Sequence, residues 1–263
     1  MFKLTSLNLN GIRSATTKGV ETWIEQVHPD CICVQEVKAQ AADVAGKFES
    51  LAGMAGYFHF AEKKGYSGVG VYSRHEPSDV VVGFDGGEFD AEGRYVELRF
   101  DTPQHKRSII SCYFPSGSSG PERQEAKFRF LAGMAPHLAA LKVERDFVLC
   151  GDVNIAHQQA DLKNWRGNQK NSGFLPEERA WMTELTTQGG LVDVYRRLQP
   201  EATDACYTWW SNRGQAYANN VGWRLDYHLA TPSLAQSARS VEIYKGEKFS
   251  DHAPITIEYA FSL

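Results

Sequence analysis

Phe147-Val148-Leu149-Cys150-Gly151-Asp152-Val153-Asn154 is an apolar run of strand length that ends, one glycine later, on a carboxylate and an amide two positions apart. The same design recurs along the chain. Ser6-Leu7-Asn8-Leu9-Asn10-Gly11, Ile32-Cys33-Val34-Gln35-Glu36 and Ile109-Ile110-Ser111-Cys112-Tyr113-Phe114-Pro115 each run from apolar residues to a polar terminus, and Arg224-Leu225-Asp226-Tyr227 and Ser250-Asp251-His252-Ala253-Pro254 add two more acidic junctions. A chain built this way must bury β-strands while keeping their ends wet. Any single Asp or Asn at a strand exit is ordinary turn chemistry. Six such exits together describe a rigid sheet whose ends build one polar site, provided that they converge.

Further strand-like runs are Leu4–Asn10, Asp30–Gln35, Gly68–Tyr72, Tyr95–Phe100, Arg107–Phe114, Phe147–Gly151, Arg224–Ala230, Val241–Tyr244 and Ile255–Phe261. In the last, Ile255, Ile257, Tyr259 and Phe261 alternate with Thr256, Glu258 and Ala260, the period of a half-buried strand. Helical spacing is read at Val20, Trp23, Ile24 and Val27, at Val44, Phe48, Leu51 and Met54, and at Phe128, Leu131, Met134, Leu138 and Leu141 in a helix predicted to start near Pro121. Strands interleaved with a few long helices predict a layered α/β fold. Ser116-Gly117-Ser118-Ser119-Gly120-Pro121 is a loop leading into a helix, not a linker, so one domain is expected.

Composition narrows the class. Of the 263 residues 42% are hydrophobic, enough for a substantial core. No apolar run approaches the ~18 residues of a membrane span. The N-terminus lacks the pattern of a secretory signal. Cys31, Cys33, Cys112, Cys150 and Cys206 form no CxxC pair and read as buried free thiols, which points to a reducing cytoplasm. The net charge of −4 argues against a module that binds nucleic acid mainly by blanket phosphate contact. It leaves room for a basic face around an acidic centre.

Oxygen donors dominate the strand ends, and zinc spacing is missing. Glu36, Asp251 and Asn8 suit Mg²⁺ or Mn²⁺, an ion that neutralises charge during phosphate-ester hydrolysis. Asp152 is suited to orient and deprotonate a water, with Asn154 as hydrogen-bond partner of the attacking oxygen or the phosphate. His252 with Asp226 matches an imidazole held in one tautomer by a carboxylate. Serine-hydrolase elbows and P-loops have no counterpart here.

Taken in order, Asn8-x-Asn10-Gly11, Val34-Gln35-Glu36, Gly65-Tyr66-Ser67-Gly68-Val69, Glu92-Gly93-Arg94 and Tyr113-Phe114-Pro115 are followed by Gly151-Asp152-Val153-Asn154-Ile155-Ala156-His157, Asn171-Ser172-Gly173-Phe174, Trp223-Arg224-Leu225-Asp226-Tyr227 and Ser250-Asp251-His252-Ala253-Pro254. This series resembles the exonuclease III family of abasic-site endonucleases, within the wider endonuclease/exonuclease/phosphatase superfamily that includes DNase I. The resemblance runs nearly end to end. It implies a four-layer α/β sandwich, two packed mixed β-sheets flanked by helices, as a single domain over 1–263.

The resemblance also implies roles. Glu36 would be the principal metal ligand, with Asn8 and Asp251 near the ion and Asp152 and Asn154 in the same candidate set. Asp152 would activate the water, Asn154 hold the phosphate, Tyr113 contact the phosphate or help the leaving group, and His252, backed by Asp226, polarise the phosphate. Asn171 would contact DNA at the cut. Trp209, Trp223 and Leu225 would wall a pocket for a flipped-out sugar lacking its base, whereas Trp210 reads as core. Lys63, Arg94, Arg123, Lys163 and Lys170 are candidate DNA contacts. The implied substrate is double-stranded DNA containing abasic sites, cut by a monomer.

Three departures stand out. Trp209 lies where many relatives carry Phe, Asn10 where some carry Asp, and Ser116 where a longer amide is usual. They imply a narrower pocket, a looser metal site and a weaker phosphate contact. The competing readings are a non-specific DNase, a phosphoesterase for a small molecule, and a catalytically silent DNA-binding protein on the same fold.

Overall fold

The computed structural model describes residues 1–84 and 86–263. Two mixed sheets are built from the runs that the sequence marks. The first has, in spatial order, β14 (Ala238–Ile243), β15 (Ile255–Tyr259), β1 (Phe2–Asn8), β2 (Cys31–Gln35), β5 (Val69–Ser73), β4 (Met54–His59) and β3 (Ser50–Leu51). The second has β10 (Val192–Asp193), β13 (Asp226–Ala230), β9 (Asp146–Asp152), β8 (Lys106–Tyr113), β7 (Tyr95–Asp101) and β6 (Asp79–Val82). A short ribbon pairs β11 (Trp209–Trp210) with β12 (Gly222–Trp223). The helices are α1 (Ile12–Thr17), α2 (Val20–Val27), α3 (Ala41–Val44), α4 (Pro121–Glu144), α5 (Trp165–Asn168), α6 (Pro176–Thr186), α7 (Val194–Leu198) and α8 (Pro232–Ser237).

Side-chain parity sorts the strands into layers. In β2, Cys31 and Cys33 face the second sheet and meet Val148, Ile109 and Cys150 there. Ile32 and Val34 point the other way, onto Trp23 and Ile24 of α2. In the second sheet Ile110, Cys112 and Leu149 face Phe130, Leu131 and Met134 of α4 and Met182 of α6. The order is therefore helix, sheet, sheet, helix. Strands buried on both faces explain why these runs read as continuous apolar stretches. All five cysteines are free and buried. Among the described residues no helix is long and apolar enough to cross a membrane.

Each sheet contains one parallel pair, β1 with β2 and β8 with β9, and a parallel pair needs a helical crossover. Helices α1 and α2 supply the first, α4 the second. The register brings Asn8 beside Gln35 and Tyr113 beside Asp152, so the carboxyl ends of all four strands open on one edge. That is where open α/β sheets bind ligands. Asp226, the first residue of β13, pairs with Asp152 on the same edge. A Cβ at Gly151 would lie 1.8 Å from the Cys112 carbonyl oxygen, so only glycine fits the approach of β9 to β8 just before Asp152.

One predicted helix is corrected. Val44, Phe48, Leu51 and Met54 do not share a helix: α3 ends at Val44, and Leu51 and Met54 face each other across the β3–β4 hairpin. Its turn residues, Ala52 and Gly53, both have positive φ, the signature of a tight hairpin turn. Val44, Leu51 and Met54 are nonetheless all buried on the outer face of the first sheet, so the spacing reports burial without helix. The sequence also missed β6, an edge strand whose four residues are mostly exposed and show no alternation.

Candidate active site

Glu36, Asp152 and His252 offer ligand atoms that all lie within 4.8 Å of one another. They come from the end of β2, the end of β9 and the segment before β15. Asn8 joins them: its Nδ2 donates to Glu36 Oε1 at 2.9 Å and to Asp152 Oδ2 at 3.0 Å, while its Oδ1 accepts from the Asn10 backbone N–H. Asn8 thus presents its amide donors, not its oxygen, to the two carboxylates. Asp152 Oδ1 accepts from the Asn154 backbone N–H at 2.9 Å, and Asn154 Nδ2 donates to the Phe114 carbonyl. His252 Nδ1 lies 2.8 Å from Asp226 Oδ2, and its Nε2 is 3.6 Å from Asp152 Oδ2. The Asp226 carboxylate thus fixes the orientation of the imidazole.

Asn10, Glu36, Lys38 and Asn154 all have positive φ. Asparagine tolerates this conformation, but glutamate and lysine hold it against steric cost, as strained residues at functional sites do. Backbone bonds from Gly11 N to Glu36 O and from Val37 N to Gly68 O fix the bend. Lys38, overlooked in the sequence although it stands two residues from Glu36, places its Nζ 2.9 Å from Glu36 Oε2 and 2.6 Å from Asn10 Oδ1. The neutral Asn10 is therefore tied to a cation of the protein itself.

The charges are tuned by these neighbours. Burial, together with Asp226 and Glu36, pushes the Asp152 carboxyl well above the usual range, against the pull of His252 and Asn8. Burial works against the His252 imidazolium, but Asp226, Asp152 and Asp251 outweigh it and raise its pKa to about 10. For Glu36 burial is likewise outweighed, here by Lys38 and Asn8, and its pKa falls. Burial, then Glu36 and Asp152, keep the Tyr113 phenol protonated. The centre therefore combines a low-pKa carboxylate, a basic carboxylate, a cationic imidazole and a phenol donor.

These groups floor a cleft of about 280 Å³. Glu36, Tyr113, Asp152, Asn154, Asp251 and His252 line it together with Trp209, Trp223 and Leu225. The indoles of Trp209 and Trp223 meet edge to face, with ring centroids 6.3 Å apart. Trp209 does more than fill space: its Nε1 donates to Asp251 Oδ2 at 3.1 Å, a bond that a phenylalanine cannot make. Trp210 is in the core, 1% exposed. Ser116, Ser118, Ser172 and Gly173 also line the cleft; Ser172 and Gly173 belong to the Asn171–Phe174 motif, and no role was read for them in the sequence. Ser116 turns its carbonyl toward the Ser172 hydroxyl.

The DNA-contact candidates divide. Lys63 and Lys170 are exposed, and Asn171 sits exposed beside Ser172, its Nδ2 on Asn168 Oδ1. Lys163 is exposed but paired with Asp204 at 2.6 Å. Arg123 is half-buried and bound to Glu92 and Tyr66. For Arg94 the expectation is corrected. It is 2% exposed, donates to Glu92, to Tyr66 Oη and to the Tyr113 carbonyl, and lies 4.9 Å from the Tyr113 ring. Its guanidinium braces Tyr113 from within and has no face left for DNA.

The donor set fits a divalent cation. Glu36 and Asp152 supply hard oxygens on a shared centre, Asp251 stands on the same cleft, and buried Asp226 Oδ1 is left without a protein partner. Residues 5–252 match the model of the endonuclease/exonuclease/phosphatase family. The chain belongs to this family. An exodeoxyribonuclease of Bacillus subtilis is 34% identical over 97% of this chain and 98% of its own length. The DNA repair nuclease APEX1 of Danio rerio is 36% identical over 97% of this chain and 81% of its own. An AP endonuclease from Archaeoglobus fulgidus superposes with a TM-score of 0.87 at 27% identity, covering 99% of this chain and all of that one. This family member is a hydrolytic enzyme, a nuclease of the DNA-repair class.

Proposed function

We propose that the chain hydrolyses the backbone of double-stranded DNA on the 5′ side of abasic sites, as a cytoplasmic monomer using Mg²⁺ or Mn²⁺. One observation carries the reading: the Glu36–Asp152–His252 cluster and the Trp209–Trp223–Leu225 wall share one cleft. The wall admits a sugar without a base, which has little stacking to lose on leaving the helix. The relatives named as an AP endonuclease and a DNA repair nuclease support it.

Glu36, with Asp152 and Asp251 near, would hold the cation, which when bound neutralises charge on the phosphate oxygens. Asp152, made basic by burial and held by Asn8 and the Asn154 N–H, takes a proton from water as the oxygen attacks phosphorus. The bond to the 3′ oxygen breaks with its electron pair staying on that oxygen, which takes up a proton to become the 3′-hydroxyl, and Asp152 returns its proton to solvent. Tyr113, its phenol kept protonated, stands by the leaving oxygen, and the His252 imidazolium, steadied by Asp226, donates to the phosphate. The same centre serves a 3′-terminal nucleotide or phosphate, so 3′→5′ exonuclease and 3′-phosphatase activity accompany the main reaction. The basic loop carrying Lys163 and Lys170 and the rim residue Asn171 would meet the DNA backbone.

The test is incision of three labelled duplexes with Mg²⁺: one with a single abasic analogue, one intact, one ending in a 3′-phosphate. Preferred cutting 5′ to the lesion supports the proposal. Equal cutting of lesion and intact duplex would make the enzyme a non-specific nuclease. Turnover only of the 3′-phosphate would make it an end-processing phosphatase.

A further inference from the structure

Behind the cleft, helices α4 and α6 are joined by an ion pair that is inaccessible to solvent. Lys127 Nζ and Glu178 Oε1 are 2.7 Å apart, and both side chains are 0% exposed. The ammonium has three donors. Besides Glu178, it reaches the Asn154 carbonyl oxygen at 2.7 Å and the Ser116 carbonyl oxygen at 3.4 Å. Glu178 Oε2 accepts from the backbone N–H groups of Gly173 at 2.7 Å and Leu175 at 3.1 Å, and Oε1 also accepts from Gln124 Nε2 at 3.0 Å. Ser116, Asn154 and Gly173 all line the cleft, and they come from three separate loops.

A buried ion pair is weak as a stabiliser, because desolvation offsets its attraction. Apart from the Gln124 side chain, its partners here are the backbones of the loops that form the site. Those loops need an external hold. Asn154 is in the left-handed region at φ 56°, and Gly173 has φ 92°. A Cβ on Gly173 would lie 3.2 Å from both the Asn154 carbonyl oxygen and the Trp223 ring, so these segments are packed with little slack. Asn154 in turn fixes Asp152 through its backbone N–H. The chain of contacts is continuous: Lys127 to the Asn154 peptide, Asn154 to the Asp152 carboxylate, Glu178 to the Gly173 loop against Trp223.

We propose that Lys127 and Glu178 are positioning residues that lock the Ser116, Asn154 and Gly173 loops into the geometry required for phosphodiester cleavage. Neither touches the substrate. The proposal rests on the phosphodiesterase reading of the cleft and adds to it the device that holds the cleft in register.

The test is the double variant Lys127→Met/Glu178→Leu, which keeps volume and leaves no buried charge unpaired, beside Lys127→Met alone. The double variant is expected to fold, with a lowered melting temperature because the Gly173 and Leu175 N–H groups and the Asn154 carbonyl lose their partners. Its kcat for abasic duplex cleavage should fall about 100-fold with KM nearly unchanged, the cost of an ångström-scale misplacement of reacting groups. The Asn154 side-chain NH₂ resonances should shift or broaden in ¹⁵N spectra. Wild-type kcat per folded molecule would overturn the proposal, because a purely structural pair would lower only stability. Unchanged Asn154 resonances would overturn it too. That arm needs no substrate, so it separates failure of the pair from failure of the abasic-site reading, which would show instead as an inactive wild type.

Discussion

Arg224 lies between two walls of the cleft, Trp223 and Leu225, and is itself 0% exposed. Its guanidinium grips Asp161 at 2.8 and 3.2 Å and Asp193 at 3.1 and 2.6 Å, and its backbone N–H donates to the Asp161 carbonyl. Arg196 adds a second cation on Asp161 at 2.5 Å. Replacing Arg224 by Met leaves two carboxylates facing one arginine. Breaking a buried pair by removing one partner costs about 3–5 kcal/mol. At roughly 2–4 °C per kcal/mol for a chain of this size, the midpoint of thermal unfolding should fall by about 6–20 °C. The acid limb gives an independent magnitude. Burial opposes ionisation of Asp161, but Arg224 and Arg196 overcome it and lower its pKa from 3.8 to about 2. A depressed carboxylate stabilises the fold above its unfolded pKa, and that contribution, about 2 kcal/mol, is lost as pH falls from about 4 toward 2. In Arg224→Met most of this acid-sensitive increment should disappear. Preference for the abasic over the intact duplex should also weaken, because Trp223 and Leu225 lose their anchor. Urea and thermal unfolding across pH, followed by circular dichroism, measure both quantities. A variant with wild-type midpoint and an unaltered acid slope would show that Arg224 does not hold Asp161 and Asp193 in this way.

Three more outcomes are expected. Trp209→Phe keeps a ring in the cleft but loses a hydrogen bond to a carboxylate, so titration calorimetry should show metal affinity down about 10-fold with lesion preference kept; Trp209→Ala should also admit base-bearing nucleotides, and unchanged discrimination there removes the residue from the pocket. Burial lowers the His228 pKa to about 4, and the unfolded chain binds the proton first, so stability is full above about pH 6.5 and falls by about 3 kcal/mol toward pH 4; in His228→Phe, urea unfolding should lose most of that slope, and an identical slope contradicts the assignment. Lys163→Ala and Lys170→Ala should each weaken binding to all duplexes alike and lower the salt slope by about one, read by fluorescence anisotropy; unchanged slopes take that loop out of the interface.

Much of this was legible in the sequence because strand ends are local. Asp152 and Asn154 follow a buried run, Glu36 ends another, and the alternation of β15 is clean. What brings them together is not local: Asn8 meets Asp152 across 144 positions, and only the family motifs hinted at that convergence. The misreadings have the same origin. Arg94 looked like a DNA contact because a charged residue beside a motif is normally at the surface, and nothing in its neighbours revealed that Tyr66, Glu92 and Tyr113 enclose it. The helical spacing at Val44–Met54 was real burial on the outer face of the first sheet, interrupted by a turn at Ala52-Gly53 that periodicity does not register. Lys127 gave no signal at all, since a lysine in a helix reads as solvated until its three acceptors are seen.

Asp152 is proposed to activate water in a metal-assisted centre built on Glu36. Single-turnover cleavage of a duplex with one abasic analogue, for wild type and Asp152→Asn, with Mg²⁺ and with chelator, tests it directly. Asparagine keeps the size of the side chain but can accept only one of the two hydrogen bonds that Asp152 takes from Asn8 and the Asn154 N–H, and it cannot take the proton, so the chemical step should fall by about 10²–10⁴-fold, with no cutting by wild type in chelator. Asp152→Asn cleaving at the wild-type rate, or wild-type cutting undiminished by chelator, would contradict it.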